Sequence, residues 1–209
     1  MLQLLAEDPR SLSSVRDPDE AWRAHVADSL TGLEISALRS ARAIADVGSG
    51  AGFPGFVLAV ALPAARVDLI ESVGRKCEFM SAASERAGIE NVRVINARSE
   101  AHAAGPGREA YDVVTARAVA RLATLAELAS PLLREGGTLI AWKGRRDPDE
   151  ESELERASDS LAMAPRKILE VGKRAGYEHR HLHTARKIGR TPEALPRRPG
   201  VAKKRPYGA

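Results

Sequence analysis

The stretch Asp-Val-Gly-Ser-Gly-Ala-Gly-Phe-Pro-Gly at residues 46–55 decides how this chain folds. Glycine permits positive φ and lets a ligand approach the backbone closely, and this stretch holds four glycines. A short apolar strand, 44–47, runs into the glycine turn (residues 48–55), and 54–62 is predicted to be a helix that begins with a proline. A strand that leads through such a turn into a helix predicts the first unit of an open α/β sheet.

Further strands and helices alternate after the glycine turn. Apolar runs typical of strands cover 66–71, 92–96, 111–117 and 138–143, and helical patterns cover 76–86, which Gly88 closes, and 121–133. Two more strand-like segments, near 167–171 and 180–187, are placed to form a hairpin at one sheet edge. This order predicts an α/β fold with a mainly parallel, doubly wound sheet and an antiparallel edge hairpin.

Two helices are predicted outside this alternation. An acid before a proline, Asp17-Pro18, marks a helix start, and the helix that follows, 21–33, spaces its apolar residues for one face (Trp22, Val26, Leu30 and Leu33). We expect Trp22 to pack on the main domain and Trp142 to lie in a core strand. The very acidic stretch 147–155 predicts an exposed helix.

Size and composition exclude several classes of protein. With 209 residues and 44% hydrophobic content, the chain can bury one substantial core. No apolar run reaches the ~18 residues that cross a bilayer, and the first eight residues lack the basic lead of a signal peptide. The single cysteine, Cys77, excludes a multi-cysteine metal site and is expected to pack against the core. We therefore expect a cytoplasmic protein without a membrane partner and without a metal.

Positive charge is concentrated near the end of the chain. From residue 173 onward there are 11 lysines and arginines against two acids, a balance of +9. The whole chain carries +4, so the first 172 residues carry −5. Such asymmetry favours a polyanionic partner, nucleic acid first, and the alternative is a solvated tail that only aids solubility.

The glycine turn and Glu71 together predict a nucleotide cofactor. A dinucleotide fingerprint counted from Gly48 would need glycine where Phe53 stands, but counted from Gly50 it fits loosely, so NAD is not excluded. Glu71 ends the second strand, where a carboxylate can accept hydrogen bonds from both ribose hydroxyls. The alternative reading of Glu71 is an exposed acid at a strand end.

Several motifs resemble one known family when they are taken together. They are His25–Leu30, 46–55, Leu69–Lys76, Asn96–Glu100, Tyr111–Ala120 and Arg198–Pro206. They resemble the RsmG family, also called glucose-inhibited division protein B, over roughly residues 22–206 and in the family's order. The resemblance implies a class I (Rossmann-like) S-adenosylmethionine-dependent methyltransferase fold that methylates N7 of a guanine in the 530 loop of 16S ribosomal RNA. The implied partner is 16S rRNA or a small-subunit precursor. For the oligomeric state, which the sequence leaves open, a monomer is the default expectation.

The resemblance also implies a cofactor site. Its cofactor-binding residues are Gly48, Gly50, Gly52, Phe53, Glu71, Ser72, Ser99, Glu100 and Arg117. Arg117, at the end of the fourth strand, is expected to face the methyl-transfer site and to orient substrate or cofactor. The alternative is a structural ion pair with Asp112 or a neighbour. Guanine N7 carries a free lone pair and no proton, so the reaction needs alignment and we expect no general base.

RNA binding is expected to use the basic tail. Its candidate residues are Arg197, Arg198, Lys203, Lys204 and Arg205. The chain divides into a short N-terminal helical segment packed on the core (1–40), the methyltransferase domain (41–190) and the basic C-terminal tail (191–209). The family's N-terminal region is usually longer than the segment that precedes His25 here, and this departure bears on any RNA contact or lid made by that region, not on the cofactor pocket.

Three of the five histidines lie in the last part of the chain. His179, His181 and His183 alternate along a strand, and we expect a solvated or RNA-facing strand rather than a metal site. His25 either reaches the pocket or is an interior histidine.

Three rival functions stay open: a small-molecule methyltransferase of the same fold, a non-catalytic RNA-binding protein that retains the fold, and an NAD-dependent oxidoreductase.

Overall fold

A computed structural model describes residues 2–7, 15, 17–172, 177 and 179–208. Among these residues, seven strands form one sheet in the order β3-β2-β1-β4-β5-β7-β6. The strands are β1 (Ala43–Val47), β2 (Arg66–Glu71), β3 (Val92–Asn96), β4 (Tyr111–Arg117), β5 (Leu133–Lys143), β6 (Met163–Glu170) and β7 (His181–Lys187). The first five run parallel, and β7 is antiparallel to both of its neighbours. The predicted doubly wound sheet is confirmed.

Helices cover both faces of this sheet. They are α1 (Leu2–Glu7), α2 (Pro18–Ala21), a π-helix (Trp22–Ala27), α3 (Asp28–Leu30), a 3-10 helix (Thr31–Glu34), α4 (Ser36–Arg39), α5 (Gly55–Ala61), α6 (Gly74–Arg86), α7 (Ser99–Ala103), α8 (Leu122–Ala129), α9 (Pro148–Leu161) and a C-terminal helix (Val201–Lys204). None of the helices in the described ranges is long and apolar enough to cross a membrane.

The core lies in two layers because successive strand residues point to opposite faces of the sheet. Ala45 and Val47 of β1 join one cluster with α8 and α9, whereas Ile44 joins the other cluster with α5 and α6. Trp142 and Cys77 are 1% and 6% exposed in that second cluster, so the predicted core positions of both are confirmed.

Two strand boundaries differ from the sequence-based prediction. The helix expected at 121–133 ends at Ala129 because Pro131 follows, and Leu133 already belongs to β5. The predicted hairpin is present, but β6 begins at Met163, ahead of the expected 167. Pro165 lies in that first half of β6, where the register shifts, and proline is tolerated there because β6 is the edge strand.

The N-terminal helix begins as expected and then departs from the predicted pattern. The side chain of Asp17 accepts a hydrogen bond from the Glu20 amide at 2.8 Å and caps the helix. Residues 22–27 form a π-helix, whose wider turn breaks the α-helical spacing of the expected apolar face. Trp22 is therefore 55% exposed and Leu30 37% exposed, so the prediction that Trp22 packs on the main domain is wrong.

Two predictions of solvent exposure are also wrong in part. The acidic helix α9 buries Leu154, Ala157 and Leu161, and it buries Glu150 against Lys143 Nζ at 2.8 Å. His183 is 5% exposed because β7 lies between β5 and β6 in the sheet and α9 packs on the neighbouring strand β6. The strand that carries the histidines is therefore not a solvated one at His183.

Candidate functional site

The sheet offers a crevice where its strand order reverses. β1 lies between β2 and β4, so the helices that follow β1 and β4 leave on opposite faces of the sheet. A cavity of about 280 Å³ opens at this point. The ends of β1 and β2, the start of α7, the residues after β4, α8 and the C-terminal helix all line it.

The glycine turn is held in a shape that other residues would not adopt. Gly52 has φ +95°, and a Cβ there would lie 2.1 Å from the ring of Phe56. Gly48 has φ +68°, and a Cβ there would lie 2.8 Å from Val119 in the cavity wall. Both positions combine positive φ with a crowded neighbour, so both need glycine.

Asp46 anchors the glycine turn from inside the protein. Its carboxylate is fully buried and accepts hydrogen bonds from the Thr115 hydroxyl at 2.9 Å and the Gly55 amide at 3.2 Å. Burial raises the pKa of Asp46 to about 6, and these hydrogen bonds work in the opposite direction. The sequence-based expectations gave Asp46 no role, although it lies in β1 only two residues before the glycine turn.

Glu71 ties the glycine turn to the loop after β2. Its side chain is 7% exposed, and its two oxygens accept hydrogen bonds from the amides of Val73 at 2.9 Å and Gly50 at 3.1 Å. It also lines the cavity, so the alternative reading of an exposed strand-end acid is wrong. A carboxylate oxygen accepts more than one hydrogen bond, which leaves capacity for ribose hydroxyls.

Five of the predicted cofactor residues meet at this cavity. They are Gly48, Glu71, Ser72, Ser99 and Glu100, while Gly50 and Gly52 lie in the adjoining turn. The Glu100 carboxylate accepts hydrogen bonds from the Gly200 amide at 2.8 Å and the Ser99 hydroxyl at 3.2 Å. The structure therefore links the start of α7 to the C-terminal helix across the cavity.

Phe53 and Arg117 lie apart from that cavity, beneath the N-terminal helices. Phe53 is 6% exposed, and the ring of His25 stacks on it with centroids 4.7 Å apart. Burial and the nearby Arg117 lower the pKa of His25 to about 4. The Arg117 guanidinium lies 6.0 Å from the Phe53 ring and donates hydrogen bonds to Asp28 and to the Ala24 carbonyl.

Arg117 pairs with Asp28, a neighbour in space that sequence reasoning did not identify. The other alternative partner, Asp112, instead accepts hydrogen bonds from Arg134 and from the amide of Ala43. Asp28 is 0% exposed, and Arg180 Nε lies 2.8 Å from its second oxygen. The sequence does not predict this buried acid between two arginines, because both arginines are far from Asp28 along the chain.

The basic tail is folded against the protein. Arg198, Lys203, Lys204 and Arg205 are exposed, and the two lysines line the cavity. Arg197 instead donates to the buried Glu127 carboxylate at 2.6 Å, and its guanidinium lies 4.3 Å from the centre of the Tyr207 ring. Four of the five predicted RNA-binding side chains thus face solvent, and Arg197 serves an internal contact.

A family model described as GidB, rRNA small subunit methyltransferase G, matches residues 2–182. The chain belongs to this family. A ribosomal RNA small subunit methyltransferase G from Rubrobacter xylanophilus is 44% identical over 196 residues, which cover 91% of this chain and 75% of that protein. A protein of the same name from Pelotomaculum thermopropionicum is 40% identical over 200 residues, which cover 94% of this chain and 82% of that protein.

Solved structures agree on the fold of this GidB family member. A SAM-dependent methyltransferase from Aquifex aeolicus matches it with a TM-score of 0.62 at 19% identity, covering 87% of this chain and 99% of that chain. The predicted class I fold and the family resemblance are confirmed. Membership of the GidB family also confirms the enzyme class, since the family is one of S-adenosylmethionine-dependent methyltransferases of small-subunit rRNA.

Proposed function

We propose that this chain transfers the methyl group of S-adenosylmethionine to N7 of one guanine in the 530 loop of 16S rRNA. It would do so as a cytoplasmic monomer that acts on 16S rRNA or on a small-subunit precursor. One observation supports the proposal most strongly. This chain belongs to the GidB family, and its Glu71 is held beside the glycine turn, where the strand order of the sheet reverses. Glu71 lines a cavity that carries lysines at its mouth.

The residues of the cavity fit S-adenosylmethionine. The Glu71 carboxylate suits the two ribose hydroxyls, and Val47, Ile70, Val119 and Leu128 give an apolar lining that suits the adenine ring. Ser99, at the start of α7, borders the same space. The cofactor, when bound, supplies an electrophilic sulfonium methyl group.

The reaction asks this chain for alignment rather than proton transfer. Guanine N7 attacks with a lone pair in the plane of its ring and carries no proton, so no side chain has to act as a base. Arg117 is the proposed orienting residue, because a planar guanidinium matches guanine O6 or a phosphate. Asp28 and the Ala24 carbonyl fix the position of that guanidinium.

RNA binding is proposed for the exposed cations around the cavity. Lys203 and Lys204 line its mouth, and Arg198 and Arg205 are exposed on the same segment. Lysine and arginine bind RNA phosphates by charge, and the affinity then falls as salt rises because counterions are released. A small neutral methyl acceptor would not show that dependence.

Labelled S-adenosylmethionine and small subunits that lack the modification test the proposal. The label is expected as 7-methylguanosine at one guanine of the 530 loop, with a rate that falls at high salt. Glu71→Ala is the inactive control, because it removes the acceptor for the Gly50 amide and for the ribose. Label in another nucleoside, or none across several salt and magnesium conditions, contradicts the proposal.

A further inference from the structure

The last part of the chain contacts the methyltransferase fold near both of its ends. This C-terminal segment (Arg197–Gly208) is held at one end by the Arg197–Glu127 pair, in which Glu127 is 3% exposed. At its other end, Arg156 Nε donates to the Gly208 carbonyl at 2.8 Å. Tyr207 lies under the Arg197 guanidinium between these two contacts. The segment therefore has a defined position on α8 and α9.

The same segment forms a wall of the cofactor cavity. The Gly200 amide donates to Glu100 at 2.8 Å, and Ala202 is 2% exposed with its carbonyl 3.4 Å from the Thr124 hydroxyl. Gly200, Ala202, Lys203 and Lys204 line the cavity beside Ser99 and Glu100. Movement of the segment away from α8 would open the cavity at the side that faces α7.

The exposed charges of this wall suit RNA, the ligand proposed beside the cofactor. Lys203 and Lys204 follow the buried Ala202 and are themselves exposed, so they stand where the cavity meets solvent. RNA phosphates bound to them would lie across the mouth of the cavity and hold the wall in place. The wall therefore contacts the cofactor cavity on its inner side and the RNA-binding surface on its outer side.

We propose that the C-terminal segment couples the two ligands, so that RNA bound to Lys203 and Lys204 tightens cofactor binding. This rests on the proposed function, because it takes the cavity as the cofactor site and RNA as the anion. Coupling between two binding sites is reciprocal, so bound cofactor tightens RNA binding by the same factor. A factor of about 5 or more is typical of such coupling and is large enough to measure.

The first experiment tests the wall without RNA. S-adenosylhomocysteine affinity is measured by calorimetry for Arg197→Ala, which loses the contact with Glu127, and for Arg190→Ala, an exposed arginine outside the segment. Arg197→Ala is expected to bind about fivefold or more weakly, and Arg190→Ala to bind as the unsubstituted protein does. Equal affinities for Arg197→Ala and the unsubstituted protein would overturn the role of the wall.

The second experiment measures coupling in variants changed only at exposed positions. The ratio of S-adenosylhomocysteine dissociation constants without and with a 16S rRNA fragment is compared for Lys203→Ala/Lys204→Ala and for Arg166→Ala/Lys167→Ala. The control pair is exposed on the edge strand β6 and removes the same charge. The unsubstituted protein and the control are expected to show a ratio of about 5 or more, and the lysine variant a ratio near 1.

The outcomes separate this inference from the proposed function. A ratio near 1 in the unsubstituted protein, or an unchanged ratio in the lysine variant, overturns the coupling even when the RNA is methylated normally. Failure of the proposed function is a different result, namely no 7-methylguanosine in any small subunit supplied. The Arg197→Ala experiment needs no RNA, so its outcome is independent of that failure.

Discussion

Arg117 and Asp28 form a buried ion pair that joins the end of β4 to the N-terminal helices. Arg117 Nη1 lies 3.0 Å from Asp28 Oδ2, and the two side chains are 14% and 0% exposed. The same nitrogen donates to the Ala24 carbonyl at 2.8 Å. The position of the proposed orienting guanidinium is therefore set by a segment that lies outside the sheet.

We expect Arg117→Lys to slow methyl transfer by about tenfold or more, about 1.4 kcal/mol in the barrier. A lysine keeps the charge but lacks the guanidinium that makes both hydrogen bonds while it lies over the Phe53 ring. S-adenosylhomocysteine affinity is expected to change by less than about threefold, since Arg117 lies apart from the adenosine cavity. Arg134→Lys, at the exposed pair with Asp112, is the matched control. Equal losses in rate and in cofactor affinity would contradict the assignment.

Glu71→Gln is expected to weaken S-adenosylhomocysteine binding by about tenfold or more. Glutamine presents one acceptor oxygen, so it cannot serve the amides of both Gly50 and Val73 and also bind ribose. Calorimetry measures the change, with Glu85→Gln as the control, because Glu85 is exposed on the neighbouring helix α6. Equal affinity in the two variants would remove Glu71 from the cofactor site.

Gly52→Ala is expected to lower the free energy of unfolding by at least about 2 kcal/mol. Alanine is strained at φ +95°, and its Cβ would overlap the Phe56 ring. Cofactor affinity is expected to fall as well, since the turn must shift. Gly144→Ala is the control, because no atom lies within 4 Å of the added Cβ. Urea unfolding should show a change of no more than about 0.5 kcal/mol for that control.

The features that were predictable from sequence are local ones. The bounds of β2, β3 and β4 match the apolar runs because each run is short, rich in β-branched residues and closed by turn residues. Glu71 was predicted as a site residue because it is the last residue of β2. These signals need only neighbouring residues, and tertiary packing did not override them.

The features that sequence reasoning missed depend on contacts between distant residues. Asp28 and Arg117 are 89 positions apart, and Gly200 and Glu100 are 100 positions apart. Arg197 looked like any other cation of the basic tail, and only the fold shows that Glu127 binds it. Composition correctly identified a basic surface, but which of its charges are used internally depends on the packing of the tail against α8.

Burial of His183 gives stability a specific pH dependence. Its pKa is lowered from the ordinary 6.5 to about 4, chiefly by burial, and the side chain is 5% exposed. Between those two values the unfolded chain binds a proton at this ring that the folded chain does not. The free energy of unfolding therefore falls as pH falls through this window. His25 acts in the same direction, and Asp46, with its pKa raised to about 6, acts in the opposite one.

His183→Leu isolates the contribution of this ring, because His25 and Asp46 are common to both proteins. Urea unfolding of the two proteins is compared at pH 7 and at pH 5. From pH 7 to pH 5, the unsubstituted protein is expected to lose up to about 2 kcal/mol relative to the variant. Between pH 7 and 8 the difference should change by no more than about 0.2 kcal/mol, since the ring is neutral in the folded chain and mostly neutral in the unfolded chain. A difference that is also constant down to pH 5, or an NMR titration of His183 centred near pH 6.5, would show that the ring is not buried as described.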